Sequence, residues 1–430
     1  MPSWHNWVGY ESCNPARYVE PEDVAAMTAL LRQAAADGHS VRVAGSGHSF
    51  TPLVPTDGVL VSLDRYRGLL ATDRETGLVT MRAGTKLHEL GPALRERGLA
   101  LENQGDIDRQ SIAGAVGTGT HGTGIRFGSI SSQVRALKLM TAAGEEIEVS
   151  PHRDLDLFEA ARVCFGSLGI MTEVTLQAVP SFNLKLTRGR MDLEECLAQA
   201  DQLNAEHRHF EFFWFPHQNL CATKLLDDTD EKEPERDAIN YVNDVLLENA
   251  TFGAMCRMVR MVPSLAPTVS RFIAKSSGKG TDVNRSYRLF STVRNVRFQE
   301  MEYAVPAANG ADALREIRAY VEAKKVLVNF PIEYRWVKGD SMWLSPDYGR
   351  DSVHISVHQF QGMPWRPFFD AAEAILRSHG GRPHWGKWHS LGARELERLY
   401  PRWGDFLAVR ERLDPQGRFL NPHLRRLFGL

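Results

Sequence analysis

The sequence predicts an α+β protein built of two units, and three observations predict it. From residue 21 to Pro180, short β-favouring runs alternate with amphipathic helices and glycine-rich turns. Beyond Pro180 the texture changes to aromatic, alternating strands separated by helices, the pattern of a sheet covered on one side. The length of 430 residues, with 43% hydrophobic and 24% charged, is enough for two domains with a sizeable core. The expected limits are 1–180 for the first domain, 181–412 for the second and 413–430 for a C-terminal segment that packs back on the first.

The first unit opens with a helix over 21–38, with Pro21 and acids at its start, Val24, Met27, Leu30 and Leu31 at helical spacing, and Gly38 as its stop. A strand, Val41 to Ala44, follows directly. Two more strands are expected at Gly58–Leu63 and Gly77–Gly84, then a helix from Lys86 to Gly98 carrying Leu87, Leu90 and Leu94. From Gln104 to Gly128 there is scarcely any helix signal; seven glycines alternate with Ser111, Thr118, Thr120 and Thr123, and apolar residues such as Ile112, Val116 and Phe127 argue for an ordered, functional loop. A hairpin is expected from Val134–Thr141 and Glu146–Val149 about the turn Ala143-Gly144-Glu145, and Gly166–Leu176 runs from small residues into a further strand.

In the second unit Phe210–Pro216 reads as an aromatic strand, and the acid-rich stretch 227–236 as a solvated surface insert. Residues 237–276 read as helical, with Met255, Met258, Met261 and several arginines; a core or domain-contact face is the preferred reading, a membrane-surface face the alternative. Strands return at 298–305, 330–336 and 352–360, with helices at 311–323 and 365–379 between them. The tail Leu413–Asn421 has turn chemistry.

Net charge −2 and a pI near 6.7 offer no basic field for a nucleic acid. The five cysteines are odd in number, scattered and never in CxxC pairs, which argues against a disulfide framework and a zinc site and for a reducing compartment. The N-terminus has neither a basic n-region nor an apolar h-region, and no apolar run reaches 18 residues, so a cytoplasmic protein without a transmembrane segment is expected.

Three stretches carry chemistry. In Val41–Phe50 a β run empties into Gly45-Ser46-Gly47 and presents His48 before Ser49; glycines there let successive N–H groups converge on a phosphate. Together with Gly117-Thr118-Gly119-Thr120-His121-Gly122-Thr123-Gly124 this suits a large phosphate-containing cofactor such as a dinucleotide, although neither stretch is a Rossmann fingerprint or a P-loop. In Phe330–Trp336, strand alternation projects Glu333 and Arg335 to one side and Ile332, Tyr334 and Trp336 to the other; an acid beside a guanidinium in an apolar strand must face water or a ligand. In Gly380–His389, Lys387 is a candidate partner for an anionic cofactor or substrate atom. His384 and His389 have no carboxylate or cysteine at ligand spacing, so no metal is expected.

Taken in order with Leu413-Asp414-Pro415, these stretches resemble the aldonolactone oxidoreductases of the vanillyl-alcohol-oxidase-type flavoproteins, over nearly the whole chain from Val41 to Asn421. The resemblance implies an α+β FAD-binding domain of two subdomains (PCMH type), followed by a cap or substrate domain with an antiparallel sheet. It implies FAD, joined covalently through His48. The cofactor-binding set is then Gly45, Ser46, Gly47, His48, Ser49, Gly105, Asp106, Ser111, Gly114, Thr118, His121, Gly122, Thr123, Gly124, Ile170 and His384, and the catalytic set Glu333, Arg335 and Lys387.

The activity so implied is oxidation of an aldono-1,4-lactone, such as L-gulono-1,4-lactone or D-arabinono-1,4-lactone, at the ring hydroxyl beside the carbonyl. The electron acceptor is oxygen or a cytochrome- or quinone-type carrier. Arg335 is expected to stabilise a developing alkoxide and Lys387 the reduced flavin, with Glu333 and Lys387 both open as proton acceptor. The chain departs from the resemblance at Tyr334 and Trp336, which leaves the particular sugar open. An alditol oxidase of the same fold, and a flavin-binding electron-transfer protein without turnover, are the alternatives.

Overall fold

The computed structural model describes residues 3–233 and 238–430. The first unit contains two sheets. A parallel one orders Arg17–Val19, Val59–Ser62 and Val41–Ala44; an antiparallel one orders Glu146–Val149, Val134–Met140, Ile170–Gln177, Leu78–Arg82 and Leu69–Thr72. Helix Val24–Ala36 packs on them through Met27, Leu30, Leu31 and Ala34. Its start is fixed by the Asp23 carboxylate, which accepts from the Ala26 N–H at 2.7 Å.

The second unit is one eight-stranded antiparallel sheet in the order Gly280–Arg285, Asn183–Asp192, Leu220–Thr229, His209–Trp214, Ile332–Val337, Ser352–Phe360, Phe298–Pro306 and Arg382–Pro383. Helices Leu193–Glu206, Gly310–Lys324 and Arg366–Ser378 cover one face. On that face Phe210, Phe212, Trp214, Tyr334, Trp336 and Ile355 form an apolar core, each such side chain contributing roughly 1.5–3 kcal/mol by burial. The alternate residues, Glu211, Glu300, Glu302, Glu333, Arg335, His354, Ser356 and His358, point the other way, yet they too are buried. A sheet normally turns its polar face to water. Here that face is turned to the first unit, and it carries the site.

Most expected elements form within a few residues of their predicted limits. The stretch 104–128 is a correction: Ile112–Gly117 is a helix, formed despite Gly114 and Gly117 because Ile112, Ala115 and Val116 are buried in the first core, and tertiary packing outweighs weak propensity. Further elements had no counterpart in the sequence reading, among them the strands Leu69–Thr72, Asn183–Asp192, Leu220–Thr229 and Gly280–Arg285 and the helices Leu155–Ala161, Leu193–Glu206 and Trp403–Leu413. Of the acid-rich stretch, Asp227–Thr229 ends a strand, 230–233 lacks regular structure, and 234–236 lies outside the described residues. The C-terminal region packs back over a longer length than 413–430: Trp385, Leu396, Tyr400, Trp403, Phe406, Leu424 and Phe428 all belong to the first core, with Met342–Leu344 beside them. Among the described residues no helix is long and apolar enough to cross a membrane.

Candidate active site

Two cavities adjoin at the glycine loop. The first is lined by Val43–Ser49, by Ser111, Gly114, Gly117 and Thr118, and by Gly166, Gly169 and Met171. The second is lined by His48, Ser49, Gly105, Asp106, Thr120, His121, Arg294, Glu300, Glu302, Arg335, His384 and Lys387. His48, Ser49, Gln110 and Thr118 border both. A long guest lying across the two would have its phosphates on the glycine loop and its far end under the polar sheet.

The loop itself is held at close quarters. Gly47 has φ +69°, a conformation that favours glycine, and a Cβ on Gly45 would stand 2.6 Å from Ser111 Oγ. Trp7 N–H donates to Gly47 O at 2.7 Å and Phe50 N–H to Gly386 O at 2.7 Å, so the loop is clamped between the N-terminal strap and the segment bearing Lys387. Lys86, which the sequence reading passed over, donates from Nζ to Ser46 Oγ at 2.9 Å and pairs with Asp64 at 2.6 Å, bringing a buried cation to the phosphate end.

His48 sits against the Trp7 ring, centroids 5.6 Å apart, and its Nδ1 is buried with no hydrogen-bond partner. Burial, reinforced by the cations Lys387, Lys86 and Arg109, lowers its pKa to about 4. At neutral pH the ring is therefore uncharged, with a lone pair free for bonding. That orphaned nitrogen and the side-chain-free cradle are what a phosphate-bearing cofactor with a tethered ring requires.

Behind the wall of the second cavity Glu333 receives Arg294 Nη2 at 2.9 Å and also pairs with Arg335. Both guanidinium groups reach Asp106 as well, Arg294 at 2.9 Å and Arg335 at 3.1 Å. Glu211, directly opposite Arg335 in the register, pairs with Lys224 at 2.8 Å. Burial alone would raise the Glu333 pKa, but Arg335 and Arg294 outweigh it and hold it to about 2. A carboxylate so acidic orients a neighbour well and accepts a proton badly. Asp106, grouped with the cofactor set by sequence, here serves the arginines.

Lys387 pairs with Glu300 and lies 5.0 Å from the centre of the Phe50 ring. Its segment is fixed on the sheet by His384 N–H to Glu302 O and Trp388 N–H to Glu300 O, both 3.0 Å. Glu300 would be raised by burial, yet Lys387 and His358 hold its pKa to about 2. His358 Nδ1 donates to Pro331 O at 3.1 Å, which leaves Nε2, 3.4 Å from Glu300 Oε1, as a buried ring nitrogen without a hydrogen bond. Sequence patterning offered one signal for it: His358 lies on the same strand face as Ser356 and His354, at period two.

A third group locks the units together. His121 Nε2 meets Glu302 Oε1 at 2.5 Å, while its Nδ1 donates to Gly122 O at 2.9 Å. Glu302 also accepts from His354 at 2.8 Å and Ser356 at 2.6 Å, and His354 reaches Asp347 at 2.8 Å. Burial opposes charge on His354, but Asp347 and Glu302 overcome it and raise its pKa to about 9. In this group, and in Glu300, Glu333 and His358, three possible ligand atoms converge within 4.8 Å; the first set is bonded within itself and to Asp347, and the carboxylates of the second are paired with Lys387, Arg294 and Arg335.

Of the remaining expected residues His384 lines the second cavity, while Gly122, Thr123, Gly124 and Ile170 lie outside both. Thr123 donates to Phe210 O at 2.6 Å and Gly124 N–H to Trp336 O at 2.8 Å, so both dock the second sheet. Gly122 approaches Gln104 O so closely that a Cβ would stand 2.4 Å from it, Ile170 is buried in the first core, and the His384 ring accepts from Gly386 N–H at 3.0 Å. Burial lowers the His384 pKa to about 3.

Comparison with known proteins settles the kinship. Residues 174–427 match the family model for D-arabinono-1,4-lactone oxidase, and residues 15–150 match an FAD binding domain. The chain belongs to the D-arabinono-1,4-lactone oxidase family. Relatives in and around this family include an L-gulono-1,4-lactone dehydrogenase of Mycobacterium tuberculosis, 42% identical over 100% of this chain and 99% of that one. Another is an L-gulonolactone oxidase of Bos taurus, 33% identical over 99% and 98%. Among solved structures a solvent-stable cholesterol oxidase superposes with TM-score 0.85 at 18% identity, covering 99% of this chain and 97% of that one. That likeness shows the fold: an FAD-binding domain joined to a second domain with an antiparallel sheet. Family membership and the FAD domain make this protein an FAD-dependent oxidoreductase acting on CH–OH groups.

Proposed function

We propose that the protein oxidises an aldono-1,4-lactone of the gulono or arabinono type at the ring hydroxyl beside the carbonyl. The observation that carries this reading is the charged wall of the second cavity, where Arg294, Arg335 and Lys387, each held by a carboxylate, line the same space as His48. FAD supplies the hydride acceptor. The chain's own groups do the rest. Arg335, anchored by Glu333 and Asp106, is aimed to bind the hydroxyl oxygen and stabilise negative charge as it develops. Lys387, anchored by Glu300, supplies a second positive charge at the cavity wall.

The low pKa of Glu333 argues against it as proton acceptor. His358 Nε2, with its tautomer set by Pro331 O, stands behind the cavity-lining Glu300 and is the better final acceptor, taking the proton by relay through that carboxylate. His48 is the tether, through its unpartnered Nδ1, and not an acid or base in the reaction. A domain boundary near Pro180 with the C-terminal region returning to the first domain, oxygen or a cytochrome- or quinone-type acceptor, and a reducing, cytoplasmic setting complete the proposal; all five cysteines are free, which supports the last.

Anaerobic mixing of the yellow holoprotein with L-gulono-1,4-lactone, D-arabinono-1,4-lactone and xylitol is the test. Bleaching by a lactone at a rate well above xylitol is the expected result. Faster bleaching by xylitol overturns the lactone reading in favour of an alditol oxidase, and no bleaching by any sugar overturns turnover itself.

A further inference from the structure

Helices Ala238–Met261 and Ala266–Ser276 form a hairpin whose inner face is settled. Cys256, Val259, Ala266 and Val269 pack on Phe298, Phe330 and Phe360, and the first two of these rings touch His358. Phe298 also meets Trp7, the ring that holds His48. The hairpin is thus a roof over the aromatic wall behind the site.

Its outer face is not what a roof in water needs. At the corner between the helices Met261 is 76% exposed, Val262 47% and Met258 40%, and Phe272, midway along the second helix, is 59% exposed. Four large apolar side chains are thus exposed on the outer side of the hairpin within residues 258–272.

The charge around it is one-sided. Residues 249–281 contain no aspartate or glutamate at all, where the chain's 53 acids in 430 residues would place about four. The same segment carries Arg257, Arg260, Arg271, Lys275 and Lys279, all exposed. A segment that exposes apolar side chains, carries five exposed cations and has no acid of its own complements a surface that offers hydrocarbon below a layer of negative headgroups.

We propose that this hairpin corner is a peripheral membrane-binding surface, seating Met261, Val262 and Phe272 in the interface of an anionic phospholipid bilayer while the surrounding cations contact its headgroups. The inference is independent of the substrate assigned above. It places the aromatic wall behind His48 and His358 towards the membrane.

Sedimentation of the full holoprotein with vesicles tests it, comparing neutral phosphatidylcholine with phosphatidylcholine containing about 30% phosphatidylglycerol. Wild type is expected to pellet with the anionic vesicles at low salt, to be released as salt rises, and to ignore the neutral ones. M261E/F272E and R271E/K275E are each expected to weaken binding, the charge reversal by at least ~25-fold at about fivefold per cation. Both should keep bound FAD and wild-type flavin reduction, which shows that they fold. Wild type remaining in the supernatant, equal binding to neutral vesicles, or unimpaired binding by both double variants overturns the proposal. Capture of wild type by an acidic protein in the absence of vesicle binding overturns it too, in favour of a protein partner.

Discussion

Replacing Glu333 by glutamine removes one negative charge from between two buried guanidinium groups. Glu333 is 1% exposed, and its folded pKa of about 2 lies below the ordinary 4.5. A depressed carboxylate pKa is stability present above the unfolded pKa and lost as pH falls through the folded one. Two and a half pKa units correspond to about 3 kcal/mol at pH 7, in line with the roughly 3–5 kcal/mol for breaking a buried ion pair. Urea unfolding of wild type and E333Q, followed by tryptophan fluorescence, reads this difference directly. It should stay near 3 kcal/mol from pH 7 to 5 and fall to less than half by about pH 3, where much of the unfolded-state advantage has gone. A gap below about 1 kcal/mol at pH 7, or one that stays level down to pH 3, would refute the electrostatic account.

Three further outcomes are expected. His48→Ala should bind FAD reversibly, so that acid precipitation leaves a colourless pellet while wild type stays yellow; a yellow variant pellet would move the tether elsewhere. His358→Asn should lower kcat by about 10²–10⁴-fold with KM changed only a few-fold, and steady-state kinetics showing a large KM effect instead would make His358 a binding residue. Gly122→Ala places a Cβ 2.4 Å from the backbone oxygen of Gln104, which cannot step aside as a side chain can. It should lower the thermal midpoint and FAD retention together, whereas an unchanged melting curve would mean the loop is looser than it stands.

The glycine loop, the Glu333–Arg335 strand and Lys387 were legible in the sequence because each is a local pattern. Strand alternation alone places Glu333 and Arg335 opposite Tyr334 and Trp336, and the structure keeps that division. Glu300, Glu302, His354 and Arg294 were not legible, since nothing near them in the chain says that they share a cavity. Glu302 comes within 2.5 Å of His121 across 181 residues of sequence, a contact fixed only by docking one unit on the other. The helix at Ile112–Gly117 was hidden for the same reason: its residues are poor helix formers, and the core that stabilises it is assembled from distant strands. His121 appeared in sequence as a cofactor-loop residue; its bond to Glu302 makes it also a bolt between the units.

The doubly buried sheet has a consequence for engineering. In most two-domain enzymes a substrate domain can be traded between relatives because its inner surface is a water-compatible boundary. Here Glu300, Glu302 and Glu333 depend on partners outside the sheet's central strands: Arg294 and Lys387 lie on flanking segments, and His121 belongs to the first unit. A transplanted sheet would arrive with its acids unmatched unless His121, Arg294 and Lys387 came with it. Specificity in this protein is therefore inherited as a matched set, and chimeras cut at the apparent domain edge should fail in folding before they ever differ in substrate.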